Sequence, residues 1–267
     1  MHFRPISQYL VKRNLSKSVL KHQSRTAGII IIGDEILKGE VTDTNSTYLV
    51  KQLYQLGVRV RKISVVSDDI KQISEEVRSF SDNYTYVITS GGIGPTHDDV
   101  TFEAIGYAFR EPLIAHPILV DICSKYYGTK DLDSPGMKLA HIPKGAKLMF
   151  GEAKTSYPNI SVKNVYIFPG IPQLLRKLFE QIGHKIFTSH EKFYTKAIYF
   201  NVTEKLIVDV LNILVKKFPT VIFGSYPELE NSQYKVKITM ECTNEEKLQI
   251  AYNTMINMMP SEYIVNA

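Results

Sequence analysis

The stretch Tyr84-Thr85-Tyr86-Val87-Ile88-Thr89-Ser90-Gly91-Gly92-Ile93-Gly94-Pro95-Thr96-His97-Asp98-Asp99 decides how the chain is read. Tyr84–Thr89 is an apolar, β-branched run of strand length, and it empties directly into the glycine loop Ser90–Pro95. Val100–Phe109 then carries a helical pattern. This is a strand-loop-helix unit, and the segments before it repeat the order. Ala27–Ile32 is a continuous β-branched run that suits a strand buried on both faces. Thr44–Leu56 places Tyr48, Leu49, Leu53 and Leu56 at helical spacing, with Gly57 as its stop. Val58–Val66 reads as the next strand and Ile70–Phe80 as the next helix. Alternation of this kind predicts an α/β fold, a mostly parallel sheet covered by helices on both faces.

Further along the order is looser. A helix is expected at Pro117–Tyr127, a Pro/Gly-punctuated stretch from Ser134 to Gly145, one buried strand at Val162–Phe168, and a helix from Pro172 to Gln181. From about residue 193 the pattern becomes strand Thr195–Asn201, helix Thr203–Phe218, strands Val221–Ser225 and Tyr234–Cys242, and helix Asn244–Met258. That predicts a small C-terminal α+β domain. The expected division is a basic extension over 1–26, the main domain over 27–190 and the small domain over 191–267.

Composition narrows the function. Residues 1–27 hold Arg4, Lys12, Arg13, Lys17, Lys21 and Arg25 with no acid, and removing them leaves 26 basic against 27 acidic residues. The balance of the rest is thus near neutral, which argues against a nucleic-acid footprint. The longest aliphatic run, Ile29–Ile32, is far short of the roughly 18 apolar residues of a membrane span. The Arg- and Ser-rich, acid-free N-terminus has the composition of a mitochondrial presequence; without that address, a cytoplasmic protein is expected. Cys123 and Cys242 lie far apart and read as free thiols of a reducing compartment.

In an open parallel sheet, ligands bind beyond the carboxyl ends of the strands. The first strand ends in Gly33-Asp34-Glu35 and the third in the glycine loop, so both emerge on one edge, with Asp43 and Asn45 following. Gly91, Gly92 and Gly94 would let backbone N–H groups approach a phosphate without an intervening Cβ. Carboxylates beside a phosphate call for a divalent cation between them, so Asp34, Asp98 and Asp99 are the candidate metal ligands and catalytic groups. A diphosphate ester fits that arrangement. Plainer roles exist for several of these residues. Thr96 and Asp99 form a capping box for the next helix, Asp43 or Asn45 an N-cap, and Glu35 a solvated loop position. His97 has no second ligand in spacing. Pro95 and Asp98 stand where a dinucleotide fingerprint needs its helix opening and third glycine.

Gly33-Asp34-Glu35-Ile36-Leu37-Lys38-Gly39, Asp43-Thr44-Asn45 and the Gly91–Asp99 loop together resemble the molybdopterin-binding superfamily of MoaB, MoeA and CinA. Ser161–Pro172 and Gly224-Ser225-Tyr226-Pro227 are similar to the version found in the N-terminal domain of eukaryotic FAD synthases. The resemblance spans residues 27 to 245. It implies a three-layer MoaB-like domain and a metal-dependent pyrophosphatase that splits FAD, ADP-ribose or NADH, using Mg²⁺, Mn²⁺ or Co²⁺ and K⁺. The PAPS-reductase-like synthase domain is not part of this sequence, so synthase activity is not expected. Carried onto this chain, Gly91, Gly92, Gly94 and Thr96 would hold the diphosphate, with Asn45, Pro169 and Gly170 bordering the ligand. Self-association is expected by the same likeness. Two other readings stand beside it: a molybdopterin-binding, adenylyl-transferring enzyme of cofactor biosynthesis, and a non-catalytic flavin or nucleotide binder.

Overall fold

The computed structural model describes residues 24–265 apart from 152–155, 229 and 231–232, so most of the basic extension lies outside the described residues. Strands β1 (Thr26–Ile32), β2 (Arg59–Val66) and β3 (Tyr86–Ser90) alternate with helices α1 (Asp34–Leu37), α2 (Asn45–Gln55) and α3 (Ile70–Asn83). Next come α4 (Thr101–Phe109), β4 (Leu113–Ala115), α5 (Pro117–Tyr127), β5 (His141–Pro143), β6 (Lys147–Met149), β7 (Asn159–Val162), β8 (Val165–Phe168) and α6 (Pro172–Ile186). The C-terminal part is β9 (Tyr194–Phe200), α7 (Val208–Lys217), β10 (Ile222–Pro227), β11 (Val236–Cys242), α8 (Glu245–Met258) and β12 (Ile264–Val265).

The main sheet has the order β2-β1-β3-β8-β7-β6. β2, β1, β3 and β8 run parallel, and β7 is antiparallel to both β8 and β6. It is therefore a mostly parallel α/β sheet with an antiparallel margin. The chain moves from β1 to one neighbour, then crosses back to place β3 on the other side. This reversal opens a crevice at the carboxyl ends of β1 and β3, where α/β sheets take ligands.

Three layers follow from the alternation within β1. Ile30 and Ile32 face a cluster built with Ile73, Val77, Phe80, Phe102 and Ile105, under α3 and α4. Ile29 and Ile31 face Leu49, Leu53, Leu175, Phe179 and Phe187, under α2, α6 and the residue that follows α6. Successive strand residues point to opposite faces, so one unbroken aliphatic run supplies two cores. The second sheet, β10-β11-β9-β12, packs Ile198, Ile238 and Met240 against Leu214, Leu248 and Met255. Among the described residues, no helix is long and apolar enough to cross a membrane.

The structure departs from the sequence reading in several places. The expected single strand Val162–Phe168 is a hairpin, β7 and β8, turned at Lys163 and Asn164. Lys163 adopts the left-handed region, and the Asn164 amide donates to the carbonyls of Ser81 and Tyr84. Apolar runs on both sides of a two-residue turn look continuous when only periodicity is read. The helix expected from Thr203 begins as a 3-10 turn, Glu204–Leu206, before α7. α6 extends past Gln181 to Ile186, and the β4–β5 hairpin and β12 carried too few residues to register.

The two sheets meet through a compact polar-aromatic contact. The Phe193 ring lies between Tyr54, 4.7 Å away by centroids, and the Arg59 guanidinium at 4.5 Å. Glu241 accepts from the Tyr54 hydroxyl at 2.8 Å and pairs with Arg59.

Candidate ligand site

Three loops converge at the crevice. The first leaves β1 through Gly33, whose N–H donates to the Val66 carbonyl at 3.1 Å, and forms the single turn α1. The second is the glycine loop after β3, and the third is Phe168-Pro169-Gly170 after β8. They lock together through side chains and backbone. Asn45 is buried at the start of α2, and its amide donates to the Ser90 hydroxyl at 3.0 Å and the Gly170 carbonyl at 2.7 Å. The Ser90 hydroxyl passes the chain on to the Pro169 carbonyl at 3.1 Å. Thr101, fully buried, donates from its hydroxyl to the Gly91 carbonyl at 2.9 Å and from its N–H to the Gly92 carbonyl at 3.0 Å.

This packing requires glycine at 91 and holds the neighbouring glycines close, before any ligand is considered. A Cβ on Gly91, which sits at φ +111°, would stand 2.0 Å from the Ile32 carbonyl oxygen. One on Gly92 would meet the Thr101 hydroxyl, and one on Gly94 the Asp99 carboxylate. Gly170 lies against Gly91, where a Cβ would reach its Cα at 3.2 Å. The absence of side chains lets β1, β3 and β8 end at one point.

The carboxylates behave differently from the sequence expectation. Asp34 is half exposed and lies 3.7 Å from Lys38, one helical turn on. Asp99 accepts both the N–H and the hydroxyl of Thr96, closing a turn within the loop. That turn is not a helix cap, because α4 begins only at Thr101 behind Val100. Asp98 is exposed beside His97, whose Nδ1 lies 3.8 Å from its carboxylate. Asp43 does act as a cap: its Oδ1 accepts the N–H groups of Asn45 and Ser46 at 2.9 Å each. Among the described residues, no group of three His, Cys, Asp or Glu side chains is placed to hold a metal ion.

One acidic residue escaped the sequence reading. Asp68 follows β2 on the same edge, and its Oδ2 accepts the Asp34 N–H at 2.9 Å. Burial pushes its carboxyl up, the Asp34 N–H opposes that shift, and the nearby charges of Glu35, Asp34 and Asp98 add to it. Applying the strand-end rule to β2 as well as β1 and β3 would have found it.

Beside the loops lies a cavity of about 730 Å³, within the range of small-molecule sites. Gly94 and Pro95 form one lip, Pro169 and Ile171 the other. Phe102, Ile122, Leu139, Ile160 and Ile167 line its interior, and Lys125, Lys177 and Gln181 bring polar atoms to it. Tyr157 also lines it; its hydroxyl is spent on the Leu139 carbonyl at 2.7 Å, and burial raises its pKa. These residues come from segments up to 88 positions apart, Ile93 to Gln181, with ordinary core identities. No local pattern could have announced the cavity.

Switch-point loops that border an apolar cavity at the carboxyl edge of a mostly parallel sheet are the arrangement in which α/β proteins take small ligands. The chain belongs to the family described as "Probable molybdopterin binding domain", which matches residues 28–188. Residues 192–267 match "FAD synthase, middle domain". A Caenorhabditis elegans protein named "Probable FAD synthase" is 34% identical over 91% of this chain and 51% of its own length. A "CinA-like protein" of Prochlorococcus marinus is 31% identical over 89% of this chain and 57% of its own. The crystal structure of CinA from Thermoplasma acidophilum, described as of unknown function, superposes with a TM-score of 0.56 at 30% identity. It covers 61% of this chain and 98% of that one. The chain spans about half the length of the first two curated relatives it matches.

These findings correct the metal-dependent diphosphate hydrolase expected from the sequence. Asp34, Asp98 and Asp99 do not assemble as a ligand set, and the acidic groups at the edge are divided among Lys38, Thr96 and solvent. None of the families and relatives named above carries a hydrolase's name. The hydrolase and metal-dependent descriptions therefore fall, while the molybdopterin-binding and CinA-like descriptions stand.

Proposed function

We propose that this chain is an adenylyl-transfer enzyme of the molybdopterin-binding type, acting on a phosphorylated nitrogen heterocycle of the pterin class. The observation that carries the reading is the meeting of the three switch-point loops with the apolar cavity at one edge of the sheet. The ring system would occupy the cavity, and its phosphate would lie toward Gly92, Ile93 and Gly94, with Lys177 supplying positive charge. An anion at such a loop is favoured by backbone N–H groups and by the helix that follows.

The chemistry demands little of the protein's acids. A non-bridging oxygen of the heterocycle's phosphate attacks the α-phosphorus of ATP; the new P–O bond forms as the bond to the β,γ-diphosphate breaks, and pyrophosphate leaves with its electron pair. Because a phosphate monoester is largely dianionic near neutral pH, the nucleophile is already ionised and no general base is needed. Catalysis is then positioning and charge stabilisation. Asp34, Asp68 and Asp98 need only tolerate the cation that accompanies nucleotide phosphates, and the divalent metal and K⁺ enter the proposal in that capacity alone.

The test is to incubate the full chain with ATP and Mg²⁺ and either a pterin monophosphate or FMN, then resolve products by chromatography and assay pyrophosphate. FMN is the second acceptor because residues 192–267 match an FAD synthase domain. Equal amounts of adenylylated heterocycle and pyrophosphate are expected. AMP or phosphate without adduct, or no product with either acceptor, would overturn the reading. The mitochondrial address is proposed on the composition of residues 1–26. A reporter carrying that segment should enter mitochondria, and a diffuse reporter would remove it.

A further inference from the structure

We infer that Asn45 is a positioning residue whose amide clasps the glycine loop to the Pro169-Gly170 loop and so sets the mouth of the cavity. The inference deepens the ligand-binding reading above, on which it rests for its purpose but not for its measurement. The polarity of the clasp is fixed. The Gly170 carbonyl can only accept, so the Asn45 group facing it at 2.7 Å is the amide nitrogen. The same nitrogen donates its second proton to the Ser90 hydroxyl, which keeps its own proton for the Pro169 carbonyl. Both amide protons and the hydroxyl proton are thereby consumed in one directional chain. Bonds in series polarise one another, and a buried chain of this kind loses more than one bond when a member is removed.

The clasp spans the three loops that form the crevice. Ser90 is the last residue of β3, Gly91 touches Gly170, and the two lips of the cavity begin four residues beyond Ser90 and one residue before Gly170. Asn45 itself does not line the cavity, and its Oδ1 is buried with no hydrogen-bond partner. Its side chain therefore acts on the cavity mouth through the loops to which Ser90 and Gly170 belong.

The experiment uses hydrogen–deuterium exchange of the full chain, which needs no knowledge of the ligand. Asn45→Ala and Ser90→Ala should each speed exchange about ten- to a hundredfold at Gly91–Gly94 and Ile171, as the loss of two buried hydrogen bonds allows. β11, in the other sheet, should keep its rate. The double variant should be little worse than the worse single one, and Ser90→Thr should restore protection. In parallel, 8-anilinonaphthalene-1-sulfonate, an aromatic anion, should bind the wild type and weaken about tenfold in the alanine variants. Unchanged loop exchange, an equal rise across both sheets, or additive effects in the double variant would overturn the clasp. Failure of adenylyl transfer with these exchange results intact would count against the proposed reaction alone.

Discussion

Replacing Gly91 by alanine tests whether the convergence of β1, β3 and β8 is as tight as the structure has it. Two costs combine. The residue sits at φ +111°, outside the conformations an L-residue adopts readily, and its new Cβ would lie 2.0 Å from the Ile32 carbonyl oxygen. A left-handed backbone costs roughly 1–2 kcal/mol for a residue with a Cβ. Overpacking adds about 1–3 kcal/mol, here against backbone that cannot swing away. The sum is about 2–5 kcal/mol, or roughly a 10 °C fall in melting temperature for a unit of this size. Gly39→Ala is the control, since Gly39 has φ +72° with nothing within 4 Å, and it should cost only about 1 kcal/mol. Gly170→Ala should fall between them, because only the 3.2 Å contact with Gly91 is at stake. Scanning calorimetry on the three variants gives the ranking. If Gly91→Ala melts within a degree or two of Gly39→Ala, the loop is not held as described and the crevice argument fails with it.

Further consequences are open to measurement. Glu241→Ala removes the shared acceptor of Tyr54 and Arg59 and should cost about 1–3 kcal/mol, because it strands partly buried donors; a loss under 0.5 kcal/mol by denaturant titration would show the contact between the sheets to be incidental. Tyr54, Tyr157 and Tyr166 have phenol pKa values raised above 10.0, chiefly by burial. The unfolded chain therefore binds fewer protons than the native one above pH 10, so stability should fall as pH rises through that range. Absorbance at 295 nm should show these tyrosines ionising only as the protein unfolds, and a full tyrosine titration in the folded state would contradict it. Finally, EDTA should leave the melting temperature unchanged, since among the described residues no three ligands converge on a metal; a clear drop would reinstate a structural ion.

Much of the architecture was open to reading because its signals are local. The aliphatic run of β1, the helical spacing of α2 and the stop at Gly57 are short-range consequences of side-chain shape and backbone freedom. The strand-end rule brought Gly33-Asp34-Glu35 and the glycine loop to one edge, and the structure has them there. The rule says which edge a residue reaches, and nothing about where its carboxylate turns. Asp34 turned to Lys38 and Asp99 to Thr96, each finding a partner within four residues. That local competition dissolved the expected metal site.

By itself the sequence determined the α/β class, the alternation of strands and helices through α4, the family and the edge of the sheet that carries the loops. These depend on periodicity, on glycine and proline, and on motifs read within some ten residues. Only the tertiary structure decided that Val162–Phe168 is part of a hairpin, that Asp68 turns to accept the Asp34 N–H, and that Asn45 reaches Ser90 and Gly170. It also decided that Phe102, Ile122 and Ile167 enclose a cavity beside the loops. Each of those facts is a meeting of residues distant in the chain, fixed by how two cores pack on opposite faces of one sheet. Identical apolar side chains fill a core or line a cavity according to what stands opposite them, and that is settled only when the layers close.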